Sequence, residues 1–167
     1  MANIDSIKRK LQKIHKEASD KYIPILRLGG MTDCFMPIEK SIRNTYKTIE
    51  CLNELGMGYL IVTKSGLIGD EEYVSLMDKD LAHIQVTVTT LDDDFYRAQG
   101  YEKASPPSER IKAILKLQEK GFDVQIRLSP LIESYMDFEY LNSLGIEKAV
   151  VEFLRVNHWV RKWFDID

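Results

Sequence analysis

The residues of this chain best suited to hold a charged or sugar-bearing ligand sit where strand-like runs end. The run IPILRL closes on Gly29-Gly30, followed by Met31-Thr32-Asp33-Cys34. Paired glycines let a backbone turn tightly or come close to a ligand. Lys64 ends YLIVTK, where an ammonium can meet a carboxylate or phosphate. Thr89 and Thr90 close HIQVTVTT and offer hydroxyls to a sugar. Arg127, in DVQIRLS, can clamp a carboxylate through two parallel N–H bonds. Pro130-Leu131-Ile132 then makes a stiff apolar shelf for a flat base. The acids Asp92-Asp93-Asp94 fit a metal site or a helix N-terminus, and the second is the commoner use of such a run.

Other chemistries lack their residues. His15, His83 and His158 are scattered, with no HxH or HExxH pair for zinc. There is no GxSxG elbow and no Walker loop. Cys34 and Cys51 match no zinc or disulfide spacing. Cys51 reads as a small core residue in a helix, and Cys34 as a buried thiol in a loop.

Elements of alternating type must position these residues. Strands are expected near 23–28, 59–64, 84–90, 123–129 and 148–154. A helix over 4–19 places Ile7, Leu11, His15 and Ala18 at helical spacing, with Asp5 or Ser6 as its cap. A second helix, 39–56, opens after Pro37 and stops at Gly56. DEEYVSLMD is a short helix, 107–120 runs from a proline start to Gly121, and 136–144 is short again. The tail NHWVRKWFDID, with Trp159 and Trp163, fits no clear pattern. Strands separated by helices give an α/β fold with a parallel sheet and right-handed crossovers. In regular order they curl into part of a (β/α) barrel, one domain spanning 1–167.

The strands also carry two parities. Ile84, Val86 and Val88 alternate with Gln85, Thr87 and Thr89. Val124, Ile126 and Leu128 alternate with Gln125, Arg127 and Ser129, and Glu152 lies between Val151 and Phe153. Helices must cover the apolar parity, so the polar one faces the barrel interior, which closed barrels fill with Val, Ile and Leu. A buried unpaired charge costs several kcal/mol, so this interior is either wetted and built for a polar ligand or closed by an Arg127–Glu152 salt bridge with no ligand at all.

The bulk numbers describe an ordinary globule. The 167 residues are 44% hydrophobic and 29% charged, with a net charge of −3. That balance argues against a basic nucleic-acid surface without excluding a local basic cleft. No apolar run approaches the ~18 residues of a membrane span, and MANIDSIKRK lacks a signal-peptide core, so the expected location is the cytoplasm.

In order, LGGMTDCFMPIEK, YLIVTKS, VTVTTLDD, SPPSERIKAILKLQEKGFDVQIRLSPLI and VEFLR resemble the radical S-adenosylmethionine enzymes, in the branch of spore photoproduct lyase and the so-called DNA repair photolyases. The resemblance runs from about residue 22 to 155. It implies a partial (β/α)6 barrel in which a [4Fe–4S] cluster reduces S-adenosylmethionine to a 5′-deoxyadenosyl radical. By this resemblance Gly29, Gly30, Met31, Thr32 and Asp33 meet the cofactor's amino group. Lys64 and Arg127 serve its carboxylate, and Thr87 and Thr89 its ribose. Ser129, Pro130 and Leu131, with Ile132, lie beside the adenine, and Glu152 sits deep in the barrel.

One departure stands out. The family's C-x3-C-x2-C loop, whose three thiolates leave one iron open, is absent, and no cysteine precedes IPILRL. Metal ligands are therefore expected in a second chain or in a segment ahead of the first strand. The chain alone is expected to be inactive, as a truncated or split core. Its first strand would be an open edge prone to pairing. Nucleic acid is a partner by analogy only. The competing expectations are a non-catalytic binding or scaffolding module that keeps the pocket, and a different barrel enzyme using Lys64 and Glu152 as acid and base.

Overall fold

A computed structural model describes residues 3–18, 22, 24–100, 104–153 and 155–164, with residues 163 and 164 described by backbone alone. Helix α1 (Ile4–Glu17) leads into strand β1 (Leu26–Leu28), then α2 (Glu39–Ile42), α3 (Asn44–Glu54) and β2 (Tyr59–Thr63). After a 3-10 turn at Gly66–Gly69 come α4 (Glu71–Leu76), β3 (Ala82–Thr87), α5 (Asp93–Ala98), α6 (Pro107–Glu119) and β4 (Asp123–Leu131). A second 3-10 turn precedes α7 (Phe138–Ser143), β5 (Ala149–Phe153) and α8 (His158–Phe164). The strands form one parallel sheet in the order β1-β2-β3-β4-β5. Sequential order with every pair parallel is the arrangement of an open (β/α) barrel, as the alternation of elements requires.

The apolar parity is the covered one. Tyr59, Ile61, Ile84, Val86, Val124, Ile126 and Leu128 are all buried, in one core with Ile49, Leu52, Ile111, Ile114 and Leu117 from α3 and α6. Helix α6 opens on Pro107 and closes with Gly121 at φ 81, where Phe122 N–H bonds back to the Leu117 carbonyl at 3.0 Å. A left-handed glycine with that back-bond is the usual way to satisfy a helix's last carbonyls.

Several boundaries differ from the sequence reading. The cap of α1 is Asn3, whose side chain accepts from the Asp5 amide, rather than Asp5 or Ser6. The single helix expected over 39–56 is broken at Arg43, which has φ 57. Glu39 supplies the reason: its buried carboxylate accepts from the amides of Thr45 (3.0 Å) and Tyr46 (2.9 Å), so α3 restarts with its first amides already satisfied. Arg43 is held in the break by an ion pair with Glu72 and by stacking 3.9 Å over Tyr46. Strand β3 runs 82–87 rather than 84–90, although the Val88 amide still reaches the Arg127 carbonyl at 3.0 Å. Strand β1 begins at Leu26, while Ile23, where it was expected to start, lies outside the described residues. Strand β4 continues two residues past the expected 129. Leu154, the expected end of the last strand, also lies outside the described residues.

Candidate functional site

The strands' carboxyl ends hold three separate groups of side chains. The first is a bonded row on the face of the sheet that no helix covers among the described residues. Arg127 gives one Nη to Gln85 Oε1 at 2.8 Å and the other to Glu152 Oε1 at 2.5 Å. The second oxygen of Glu152 accepts from Ser129 Oγ at 2.5 Å. Hydrogen bonding from Ser129, joined by Arg127 and by Arg27 acting through space, holds the Glu152 carboxyl below the usual carboxylate range. The row crosses β3, β4 and β5, so the polar parity of all three does share one face. Lower on that face His83 Nδ1 lies 2.8 Å from Asp123 Oδ2, and Lys148 Nζ lies 2.7 Å from Oδ1. These hydrogen bonds, His83 first and Lys148 second, keep the Asp123 carboxyl low, and Asp123 raises Lys148 in return.

The second group is a cavity of about 180 Å³ where β2, β3 and β4 end, lined by Lys64, Thr89, Thr90, Phe95, Pro130 and Tyr135 among others. Phe95 and Tyr135 stand 4.7 Å apart between ring centres. The cavity gathers Lys64, Thr89 and Pro130 as the sequence reading expected, and adds an aromatic pair that it missed.

The third group is the turn after β1. Gly29 has φ 84, and a Cβ there would lie 2.1 Å from the Val62 carbonyl oxygen, so only glycine fits. Gly29, Gly30, Met31 and Thr32 line a groove of about 350 Å³ with Ile7 and Leu11, beside the edge of β1 that has no partner strand among the described residues. Met31 is 99% exposed. Asp33 is already engaged: Oδ1 accepts from Phe35 N (2.9 Å) and Thr63 Oγ1 (2.8 Å), and Oδ2 from the Lys64 amide (2.6 Å). It ties the turn to the end of β2, and with Lys64 and Phe35 it also lines an open cavity of about 910 Å³.

Two more residues of the expected site have defined places. Leu131 lies past a register shift in β4 and pairs with Phe153. Thr87 is buried, and its carbonyl accepts from Arg110 Nη1 at 3.0 Å. Arg110 itself escaped the sequence reading. It is 0% exposed, donates also to the Ser105 carbonyl (2.8 Å) and to the Tyr96 hydroxyl, and sits over the Tyr96 ring. It thus fastens α6 to the end of β3 and to the wall of the 180 Å³ cavity. Its place on the buried stripe of α6, three residues after Pro107 and four before Ile114, was the available signal.

Of the acids 92–94, the first two serve as caps, and Asp94 accepts from Arg97 Nη1 at 3.0 Å. Asp92 accepts from Asp94 N and Phe95 N at the start of α5, and Asp93 accepts from the amide and hydroxyl of Ser108 in the first turn of α6. The thiols do not fit an iron–sulfur cluster. Burial, aided by Asp33, pushes the Cys34 thiol up to about 12, whereas a metal ligand must be a thiolate. Cys51 is buried on α3, and no group of three metal-ligating side chains occurs among the described residues.

An open sheet of five parallel strands in sequential order, with one helix-covered face and one polar face, is a partial (β/α) barrel. No family model matches the chain. Over 134 residues it is 31% identical to the uncharacterized protein MJ0683 of Methanocaldococcus jannaschii, a match taking in 75% of this chain and 47% of that protein. The chain therefore spans about half the length of that relative. Among solved structures it is similar to a spore photoproduct lyase variant with a dinucleoside spore photoproduct (TM-score 0.70, 17% identity, 96% of this chain and 49% of that one). It is similar to the same degree to a variant with bound AdoMet and the same dinucleoside (TM-score 0.69, 16% identity, 96% and 49%). At such identity the likeness establishes the fold.

No described helix is long and apolar enough to cross a membrane.

Proposed function

We propose that this chain is the S-adenosylmethionine-binding part of a radical enzyme whose cluster loop comes from other polypeptide. The observation that carries this reading is the polar row on the uncovered face of a spore photoproduct lyase-like sheet. The row is bonded within itself through the Arg127–Glu152 ion pair, and its open side, where Glu152 is half exposed, is where a polar ligand would join or replace those bonds. When bound, S-adenosylmethionine supplies a sulfonium whose reductive cleavage starts radical chemistry. The chain's own residues do the holding. Arg127 anchors the ligand carboxylate, with Lys64 near the mouth. Thr89 takes ribose hydroxyls, and Ser129, Pro130 and Leu131 edge the base. The backbone of Gly29 and Gly30, with Met31 and Thr32, lies toward the ligand's amino end. Thr87 and Asp33 act from behind, Thr87 through its strand and Asp33 by fixing the turn. The thiols present do not fit a [4Fe–4S] cluster, so its ligands would have to come from residues other than Cys34 and Cys51. Nucleic acid is the substrate class favoured by analogy to the lyase and its dinucleoside complexes.

A second reading is favoured by the missing thiolates: a binding module that keeps the pocket without radical chemistry. Equilibrium dialysis against S-adenosylmethionine tests the first claim. Saturable binding is expected for the wild type, and Arg127→Ala should abolish it with the fold retained. Unchanged binding in that variant removes Arg127 from the site, and no binding in the wild type removes the cofactor reading. Anaerobic iron analysis after co-expression with a cysteine-loop segment separates enzyme from module, an active unit carrying about four irons.

A further inference from the structure

Glu152 holds its carboxylate as a bound carboxylate ligand would be held. One oxygen faces the Arg127 guanidinium and the other the Ser129 hydroxyl, while Gln85 fixes the guanidinium from behind. Two donors on two oxygens is the usual recognition of a free carboxylate. The partners differ sharply in exposure, the Arg127 side chain at 15% and that of Glu152 at 53%. The cation is thus built into the sheet, and the anion hangs from it. Glu152 also comes from β5, which has β4 as its single neighbour in the sheet, close to the break in register between Leu128 and Leu131. Of the row, Glu152 is the member that can leave most cheaply: it is already half in water, where an ion pair contributes little.

We propose that Arg127, Ser129 and Gln85 form a carboxylate-binding cradle, and that Glu152 is its internal occupant, displaced when a ligand carboxylate enters. The cradle rests on the proposed cofactor reading for the carboxylate it would hold, but does not depend on which carboxylate compound fills it. Exchange keeps the charge count constant, since one carboxylate replaces another on the same guanidinium. Arg27, which also attracts Glu152, keeps the surroundings cationic while Glu152 is away. A tethered competitor acts at an effective concentration in the millimolar range. A free carboxylate must therefore compete with Glu152 in the wild type, and it meets an open cradle once that side chain is gone.

The test is rescue by acetate. Thermal midpoints are followed against sodium acetate, with sodium chloride at equal ionic strength as control, for the wild type, Glu152→Ala, Glu152→Gln and the Glu152→Ala/Arg127→Ala double variant. Stabilisation through binding grows with ligand over dissociation constant. Acetate is expected to raise the midpoint of both Glu152 variants at concentrations lower than the wild type needs. The double variant should not respond. Glu152→Gln keeps the side chain's shape and carries the test if the alanine variant does not fold. Equal responses in all four proteins, or no acetate-specific response in the Glu152 variants, overturn the cradle. Acetate rescue without any S-adenosylmethionine binding would remove the cofactor reading and leave the cradle standing.

Discussion

Replacing Asp33 with alanine should loosen the turn after β1 without unfolding the sheet. Three bonds converge on this carboxylate, from the amides of Phe35 and Lys64 and the hydroxyl of Thr63. A hydrogen bond to a charged group contributes about 1.5–3 kcal/mol. Two of the three are half-buried, and the Lys64 amide is exposed and can turn to water, so it adds little. Counting the two half-buried bonds, the expected loss is about 3–6 kcal/mol. Asp33→Asn should recover part of it: one oxygen can still serve Phe35 and Thr63, but the amide NH2 would then face the Lys64 N–H. Urea unfolding followed by circular dichroism reads the stability difference. Native-state hydrogen exchange at the Lys64 amide reads the local one, and it should speed up in both variants. If Asp33→Ala stays within about 0.5 kcal/mol of the wild type, the carboxylate is an ordinary surface group and the turn is held by something else.

Two alanine substitutions at left-handed glycines should differ. Gly29→Ala drives a Cβ into the Val62 carbonyl and should cost at least about 2 kcal/mol, whereas Gly56→Ala meets no atom within 4 Å and should cost about 1 kcal/mol from its φ of 61 alone; equal losses by urea denaturation would refute the close approach. The Asp123 carboxyl is held down by His83 and Lys148, so its contribution is present above the unfolded carboxylate pKa of about 3.9 and is lost as pH falls through the lower folded value. Asp123→Asn should therefore flatten the stability–pH curve on the acid side of about pH 4, and a variant curve parallel to the wild type would show that the cluster contributes nothing. The edge of β1, unpaired among the described residues, should make the chain self-associate, with a lysine at the exposed Ile25 (Ile25→Lys) reducing it; sedimentation of a wild type that stays monomeric at high concentration speaks against this.

What the sequence made legible was whatever repeats with a period. Alternating elements give the parallel order, and alternating side chains give the faces: Gln85, Arg127, Ser129 and Glu152 do meet on one side of β3, β4 and β5. The details that resisted reading depend on partners far along the chain. Nothing local marks Arg43 as a helix break, because the break rests on Glu39 and on Glu72, 29 residues away. The charge of Arg110 looks like solvent-facing helix until its carbonyl partners at Thr87 and Ser105 are known. Asp33 looks like a ligand contact in a glycine turn, and only the fold shows Thr63 and Lys64 claiming its oxygens.

The scatter of the expected site into three groups has a physical reading of its own. Residues 29–32 lie in the groove beside β1, Lys64, Thr89 and Pro130 in the cavity at the ends of β2–β4, and Arg127, Ser129 and Glu152 on the uncovered face. A ligand that touched all three would have to span the mouth of the sheet from its first strand to its last. Each group is anchored by bonds of the folded chain: Asp33 to the end of β2, Arg110 to β3 and α5, Glu152 to Arg127. Each group is therefore fixed in place before a ligand arrives, apart from Glu152, whose exposed carboxylate bridges β4 and β5 by side-chain bonds alone. A pocket pre-formed except at one displaceable anion spends little ordering entropy on binding and selects for a ligand that carries its own carboxylate.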